Sequence, residues 1–307
     1  MKIIVTGGAG FIASHVVDKY IELGHEVVVI DNLSTGSFHN VNSKAKFYLK
    51  DIRHHEIEKI FKAEKPDLIN HHAAQISVPA SVKNPLFDAD VNVLGLLNVL
   101  ENSIKYSVKK VIFISSGGAI YGEATEYPTT ENYIPNPLSP YAISKFISEK
   151  YLHYYKHTFG LDFTTLRYAN VYGPRQVSKG EAGVVSIFIE TLLNNKIPYL
   201  YSYPENPDGM IRDYVYVKDV VKANVLALDK ASSEAINIGS NVETTTGQLL
   251  REISRQMKKD FNPISEGPRP GDLRKSCLNI EKAKQHLGWT PEYSLERGIK
   301  ETIEFFQ

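Results

Sequence analysis

A doubly wound parallel α/β sheet with a smaller C-terminal lobe is the fold class that this chain predicts. Three observations predict it. Short β-branched runs alternate with helical stretches. The runs are apolar nearly throughout, as strands covered on both faces should be. A glycine-rich loop joins the first run to the first helical stretch. The candidate strands are KIIVT, EVVVID, KFYL, DLIN, KVIFIS and FTTLR; the candidate helices cover about 11–23, 54–64, 83–106 and 141–158. After about residue 170 the pattern loosens. Glycine and proline gather at 173–183, 198–209 and 263–271, between helical stretches near 184–194, 217–230, 246–258, 280–287 and 295–306. Residues 1–169 therefore read as the main domain, with 213–238 returning to it. Residues 170–212 and 239–307 read as the lobe.

Composition narrows the function. The 307 residues are 42% hydrophobic and 23% charged, the ordinary globular range. Lys+Arg and Asp+Glu balance at 35 each, so no bulk charge draws nucleic acid or an anionic membrane. The single cysteine, Cys277, excludes an internal disulfide and fits a reducing compartment. No apolar run reaches about 18 residues, so no membrane span is expected. The opening MKIIVTGG enters a strand and the glycine loop at once, which leaves no room for a signal peptide and predicts a cytoplasmic protein. His54-His55 and His71-His72 are adjacent pairs whose side chains diverge on extended backbone, so no metal site is expected. Leu94, Leu96, Leu97 and Leu100 read as core and interface.

In TGGAGFIASH, Gly7, Gly10 and Ala13 take G-x-x-G-x-x-A spacing, and Gly8 adds freedom. The glycines permit a tight turn and close approach of a pyrophosphate. The helix opening at Phe11 and Ile12 then faces it with free N–H groups. The next strand ends at Asp31, 24 residues after Gly7. An acid there accepts the ribose 2′-hydroxyl and repels a 2′-phosphate, which favours NAD over NADP. This is the Rossmann-type arrangement.

Tyr141 and Lys145 stand four apart on a predicted helix and share a face. A free tyrosine, with a pKa of about 10, is a poor base at neutral pH. A nearby ammonium, with the positive nicotinamide ring, would favour the phenolate. The pair could then take a proton from a sugar hydroxyl as hydride leaves the same carbon. The spacing alone is common, since the chain has 18 tyrosines.

Together these residues resemble the extended short-chain dehydrogenase/reductase family. The match runs nearly end to end through TGGAGFIASH, DNLSTG, HHAAQISV, DVNVLGLLNVL, SSGGAIYG, SPYAISK, RYANVYGPRQ, RDYVYVKDVV, NIGS and RPGDLRKS. Within the family it looks most like the UDP-glucose 4-epimerases. The resemblance implies that Asp31 and Asn32 hold the adenosine ribose, with Ser34, Thr35 and Gly36 nearby. Asp51 and Ile52 would meet the adenine. Ala73, Ala74 and Gln75 would line the pyrophosphate and nicotinamide side, braced by Asn92, with Tyr168 beside the nicotinamide. Asn170, Arg212 and Arg269 would grip the sugar-nucleotide diphosphate, with Val184 on the same side, and Asp272 would accept from the uridine ribose. The arginine fork suits phosphate oxygens.

Such epimerases usually carry a serine or threonine four before the strand-end tyrosine. Here that count, from Tyr121, lands on Gly117. Ser116 is expected to supply the hydroxyl, with Gly117-Gly118 absorbing the extra residue as a bulge or altered turn; Ser115 or a water is the alternative. The reaction implied is NAD-dependent inversion at C4 of a UDP-hexose through a transient 4-keto sugar. The alternatives are a UDP-glucuronate decarboxylase, a 4,6-dehydratase or an NAD-sensing protein. Dehydratases of the family carry an Asp-Glu pair where this chain has glycines and Ala119. Ser276 falls where the family walls the sugar C2 side; a small residue there implies that UDP-GlcNAc and UDP-GalNAc are accepted beside UDP-glucose and UDP-galactose. The segment 201–211, YSYPENPDGMI, is longer than the family's usual turn and borders the base. The family also implies a homodimer formed through the helices near 83–106 and 141–158.

Overall fold

The computed structural model describes residues 1–177, 183–269 and 272–307. Strands β1 (Lys2–Thr6), β2 (Glu26–Asp31), β3 (Lys46–Leu49), β4 (Leu68–His71), β5 (Lys110–Ser116) and β6 (Asp162–Tyr168) fall on the predicted runs. Further strands follow: β7 (Asn170–Tyr172), β8 (Tyr199–Tyr201), β9 (Ile211–Tyr216), β10 (Glu234–Ile238), β11 (Glu243–Thr245) and β12 (Ile264–Glu266). The first helices are α1 (Phe11–Glu22), α2 (Ile57–Glu64), α3 (Val78–Lys83), α4 (Pro85–Ala89), α5 (Gly95–Lys105) and α6 (Pro140–Phe159). Then come α7 (Val184–Leu193), α8 (Val217–Leu226), α9 (Thr246–Met257), α10 (Glu281–Leu287) and α11 (Leu295–Phe306).

Seven strands form one parallel sheet in the order β10-β6-β5-β4-β1-β2-β3. The alternation of side chains along each strand splits the core in two. In β1, Ile3 and Val5 join a cluster with Val16 and Tyr20 of α1 and Val220 of α8. Ile4 faces the opposite side, with Phe61 of α2, Val99 of α5 and Leu152 of α6. Both faces are covered, which is why the strands read as continuous apolar runs. A third cluster, with Phe188, Leu249, Ile253 and Ile299, fills the lobe. There β11-β9-β7 form one small sheet and β12-β8 another.

Two expectations are corrected here. The helix predicted over 83–106 starts behind an Asn84 cap and runs from Pro85 to Lys105 with a π turn at Asp90–Leu94. Gly95, at the end of that turn, lets the helix touch the neighbouring loop: a Cβ there would lie 2.7 Å from Ile52 Cδ1. The strands after residue 170 carry no long apolar run, so their pattern did not separate them from loop. Of these, β10 joins the main sheet and β9 the small one.

Candidate active site

The order of the sheet reverses at β1, which has β2 on one side and β4 on the other. A crevice outside the strand ends is expected at such a point. A cleft of about 400 Å³ opens there. Gly7 turns beneath it at φ +71°, and a Cβ would sit 2.7 Å from Ala73 N. Both conformation and space demand glycine. Gly10 is the N-cap of α1 and offers no side chain to its first turn, which holds no acid. The orphan N–H groups and the positive end of the dipole therefore face the cleft, beside Phe11, Ile12 and Ala13.

Asp31 ends β2 on the same rim. Its Oδ1 accepts from Leu33 N at 2.7 Å and its Oδ2 from Ala9 N at 3.0 Å. Burial pushes its pKa up, and those two bonds oppose the rise. Asn32, Ser34, Thr35, Asp51, Ile52, Ala73 and Ala74 line the cleft too. Gly36 packs on Ala9, where a Cβ would come within 3.0 Å. Arg53 holds the Asp51 carboxyl below the usual range through a 2.7 Å bond. Gln75 turns its side chain away, to Ser77 O and Asp88. Asn92 braces this wall by exchanging hydrogen bonds with the Gln75 backbone, 2.9 Å from its N and 3.0 Å to its O. A glycine cradle, an uncapped helix N-terminus and an acid at the second strand's end suit a dinucleotide. By these features the residues fit NAD.

α6 begins where its sequence says it must. Ser139 accepts from Ala142 N at 3.2 Å, Pro140 fills the first turn, and Gly160 ends the helix at φ 74°. Tyr141 thus lies in the first turn, its N–H bonded to Ser81 Oγ of α3 at 3.2 Å. Lys145 and Glu149 follow at successive turns. Ser116 and Tyr141 line the same cleft, and the Ser116 hydroxyl lies close enough to the phenol to favour its ionised form. Ser115 points to the opposite face and donates to Glu149 at 2.6 Å. Glu149 also takes a bidentate grip from Arg167, at 3.0 and 2.6 Å. The alternation along β5 thus gives its two terminal serines separate partners.

Of the two expected ways to absorb the extra glycine, a bulge or an altered turn, the structure takes the turn. Neither Gly117 nor Gly118 is left-handed. Instead Ser116 O accepts from both Ala119 N and Ile120 N, closing a tight turn. Space is what requires glycine at 117, where a Cβ would lie 2.5 Å from Leu278 Cδ1.

The electrostatics also differ from the simple expectation. Burial pushes the Tyr141 phenol up to about 12, with Ser116 working the other way. Lys145 donates to Ile114 O at 2.9 Å, and burial pulls it down to about 8. Its Nζ lies 6.0 Å from the Tyr141 ring centre. Any cationic help to the phenolate must overcome burial. Tyr168 forms part of the floor, its phenol bonded by Asn224 at 2.6 Å. His72 is there too, and burial holds it neutral, down to about 3.

A second cavity of about 240 Å³ adjoins this cleft. Asn170, Val184 and Tyr214 line both. Arg212 enters the second cavity with its pKa pulled down by burial and no ion pair among the described residues. A half-buried cation so placed suits an anionic guest. Arg269 and Asp272 also line it and pair with each other at 3.2 Å, Arg269 lying over the Tyr201 ring at 4.9 Å. Pro270 and Gly271 of the same block lie outside the described residues. Ser276 is buried beside Gly118. In the long segment, Tyr203 bonds to Asp272 O at 2.8 Å, so it folds against the block that carries Asp272.

Some residues escaped the sequence reading. Glu149 continues the spacing of Tyr141 and Lys145 and was findable by that signal. Asp88 gave none, because two of its three partners, Gln75 and Ser144, come from other elements, and Tyr214 gave none, because what marks it is the pair of cavities it faces. The Tyr214 hydroxyl is buried without a hydrogen-bond partner and faces both cavities.

Known proteins give the context. Residues 3–239 match the model of the NAD dependent epimerase/dehydratase family. The fold overlays a UDP-glucose 4-epimerase from Thermotoga maritima, solved with UDP-glucose, with a TM-score of 0.97 at 51% identity over 100% of this chain and 98% of that one. A Thermus thermophilus UDP-glucose 4-epimerase in complex with NAD gives 0.94 at 43% identity, over 100% and 99%. A UDP-N-acetylglucosamine 4-epimerase from Methanobrevibacter ruminantium, in complex with UDP-N-acetylmuramic acid, gives 0.93 at 35%, over 99% and 97%. With its glycine cradle, its Tyr141–Lys145 helix and this match across most of its length, the chain belongs to the NAD dependent epimerase/dehydratase family.

Proposed function

We propose that this protein inverts C4 of a UDP-hexose, interconverting UDP-galactose with UDP-glucose and UDP-GalNAc with UDP-GlcNAc. The observation that carries the reading is the Ser116–Tyr141–Lys145 group, set in the cleft that joins a dinucleotide crevice to a cavity lined by the half-buried Arg212. When bound, NAD⁺ supplies a two-electron acceptor that can oxidise C4 to a ketone and re-reduce it, and a positive ring that favours the phenolate. Gly7, the α1 N-terminus and Asp31 hold it. Tyr141 takes the O4 proton and later returns it, while Ser116 shares the hydrogen bond and keeps the phenol oriented. Lys145, fixed by Ile114 O, holds positive charge near the phenol. Arg212, Arg269 and Asn170 grip the diphosphate so that the hexose alone turns over. Net inversion consumes no cofactor.

The direct test incubates the protein and NAD⁺ separately with UDP-galactose and UDP-GalNAc and separates the C4 epimers by chromatography. Both should convert; conversion of neither overturns the proposal, and conversion of UDP-galactose alone removes its N-acetyl arm. Ser276→Tyr should lower UDP-GalNAc turnover by roughly 10²-fold while sparing UDP-galactose, because added bulk acts only on the larger substituent. Equal loss on both would discard that pocket argument.

The working unit in this reading is a homodimer. Val82, Leu86, Leu94, Ile143, Ile147 and Tyr154 are exposed on neighbouring helices, Leu86 to 83%. An apolar surface of this kind suits a second copy. Light scattering should return twice the chain mass, and Leu86→Glu should shift it toward the monomer. A monomeric wild type would sink the assignment.

A further inference from the structure

Asp88 lies on α4, a helix that the reaction does not use, yet it is fully buried. A buried carboxylate needs donors, and Asp88 has three. Gln75 Nε2 donates to Oδ1 at 2.7 Å, Asn92 Nδ2 to Oδ1 at 3.1 Å and Ser144 Oγ to Oδ2 at 2.6 Å. The donors come from different places. Gln75 is on the loop after β4 that walls the dinucleotide crevice. Asn92 is in the π turn that braces that loop, and such turns gather at functional sites. Ser144 is on α6, next to Lys145. One side chain therefore joins the cofactor wall to the helix that carries the tyrosine and lysine.

We propose that Asp88 is a positioning residue, which locks α6 to the cofactor wall and sets a fixed negative charge behind the proton-transfer pair. The inference rests on the epimerase reading above. It gives the charge a purpose. Lys145 is buried, and burial alone drains its positive charge. Asp88 and Glu149 are the anions that oppose this, Asp88 from α4 and Glu149 from α6 itself. The same Asp88 charge raises the Tyr141 phenol. From β4 and the residue after it, His71 and His72 face the lysine, both neutral through burial. Asp88 thus keeps the ammonium charged at the cost of a less acidic phenol, and both follow from one carboxylate.

The oxygens are used in a way that allows charge and geometry to be separated. Oδ1 takes Gln75 and Asn92, and Oδ2 takes only a serine hydroxyl, which can rotate to accept instead. Asp88→Asn therefore keeps the contacts and removes the charge. Both limbs of its pH–kcat profile should move to lower pH by about half to one unit, since loss of a negative neighbour acidifies both groups. Ser144→Ala keeps the charge and frees the helix. It should lower kcat about tenfold, leave KM for the UDP-sugar unchanged and leave the profile where it was. An Asp88→Asn profile that drops evenly at every pH, without moving, overturns the electrostatic role. A Ser144→Ala enzyme with wild-type kcat overturns the positioning role, and does so even where Asp88→Asn fails to fold. Wild-type turnover of UDP-galactose in the same assay tests the epimerase reading itself, so the two failures are distinguishable.

Discussion

Tyr141→Phe is expected to lower kcat about 10³-fold, with KM for the UDP-sugar nearly unchanged. General acid–base groups contribute roughly 10²–10⁴-fold, and Tyr141 is proposed to act in both directions of proton transfer. The ring stays, so the surface presented to a sugar changes little, and the N–H of residue 141 still bonds to Ser81. Ser116→Ala should cost about 10²-fold, because it removes the hydroxyl beside the phenol that favours the phenolate and leaves the base in place. Steady-state kinetics on UDP-galactose, with chromatography of products, checks both. Turnover of Ser116→Ala within about twofold of wild type would remove that serine from the mechanism. The phenol also sets a pH direction. Burial holds it near 12, so the phenolate fraction, and with it kcat, should rise with pH until Lys145 begins to lose its proton.

The second large effect concerns stability. Glu149→Ala should cost about 3–5 kcal/mol, because it strands the Arg167 guanidinium in the interior. Glu149 and Arg167 side chains are only 4% and 7% exposed, and their closest contact is 2.6 Å. Ser115 loses its acceptor in the same variant. Domains are stable by about 5–15 kcal/mol, so this is a large share. Urea denaturation should show a lower midpoint. The double variant Glu149→Leu with Arg167→Met should recover most of the loss, since apolar residues of similar volume can replace a buried pair. A double variant as unstable as Glu149→Ala would show that packing, and not the stranded charge, sets the cost.

The parts of the fold that could be read from sequence are those governed by local rules. The six apolar runs, the glycine loop and Asp31 each declare themselves within a few residues. So does α6, through Ser139-Pro140 and Gly160. The short strands of the lobe do not, because β7, β9 and β11 are defined by pairing across distant segments. The same holds within the site. Gly7 stood out by its spacing, and Tyr141 and Lys145 stood out only once the blocks around them resembled the family. Asp88 did not, because its donors come from residues 75, 92 and 144. The choice between Ser115 and Ser116 needed the side on which each faces, and a one-residue offset in the turn hides that from a count. The burial of Tyr141 was equally invisible, so the upward push on its phenol could not be anticipated from a neighbouring lysine.

Gly117 also bears on how such a chain can diverge. Relatives that eliminate water are expected to carry an acid directly after the hydroxyl residue, the place that Gly117 holds here. Any side chain at 117 would strike Leu278, which is itself buried against Ile120 and Tyr121. Gly118 meets only ordinary contacts, the nearest being Asn170 Oδ1 at 3.6 Å. An acid at 117 therefore needs Leu278 to turn aside or shrink, a disturbance of the core that a side chain at 118 would not bring.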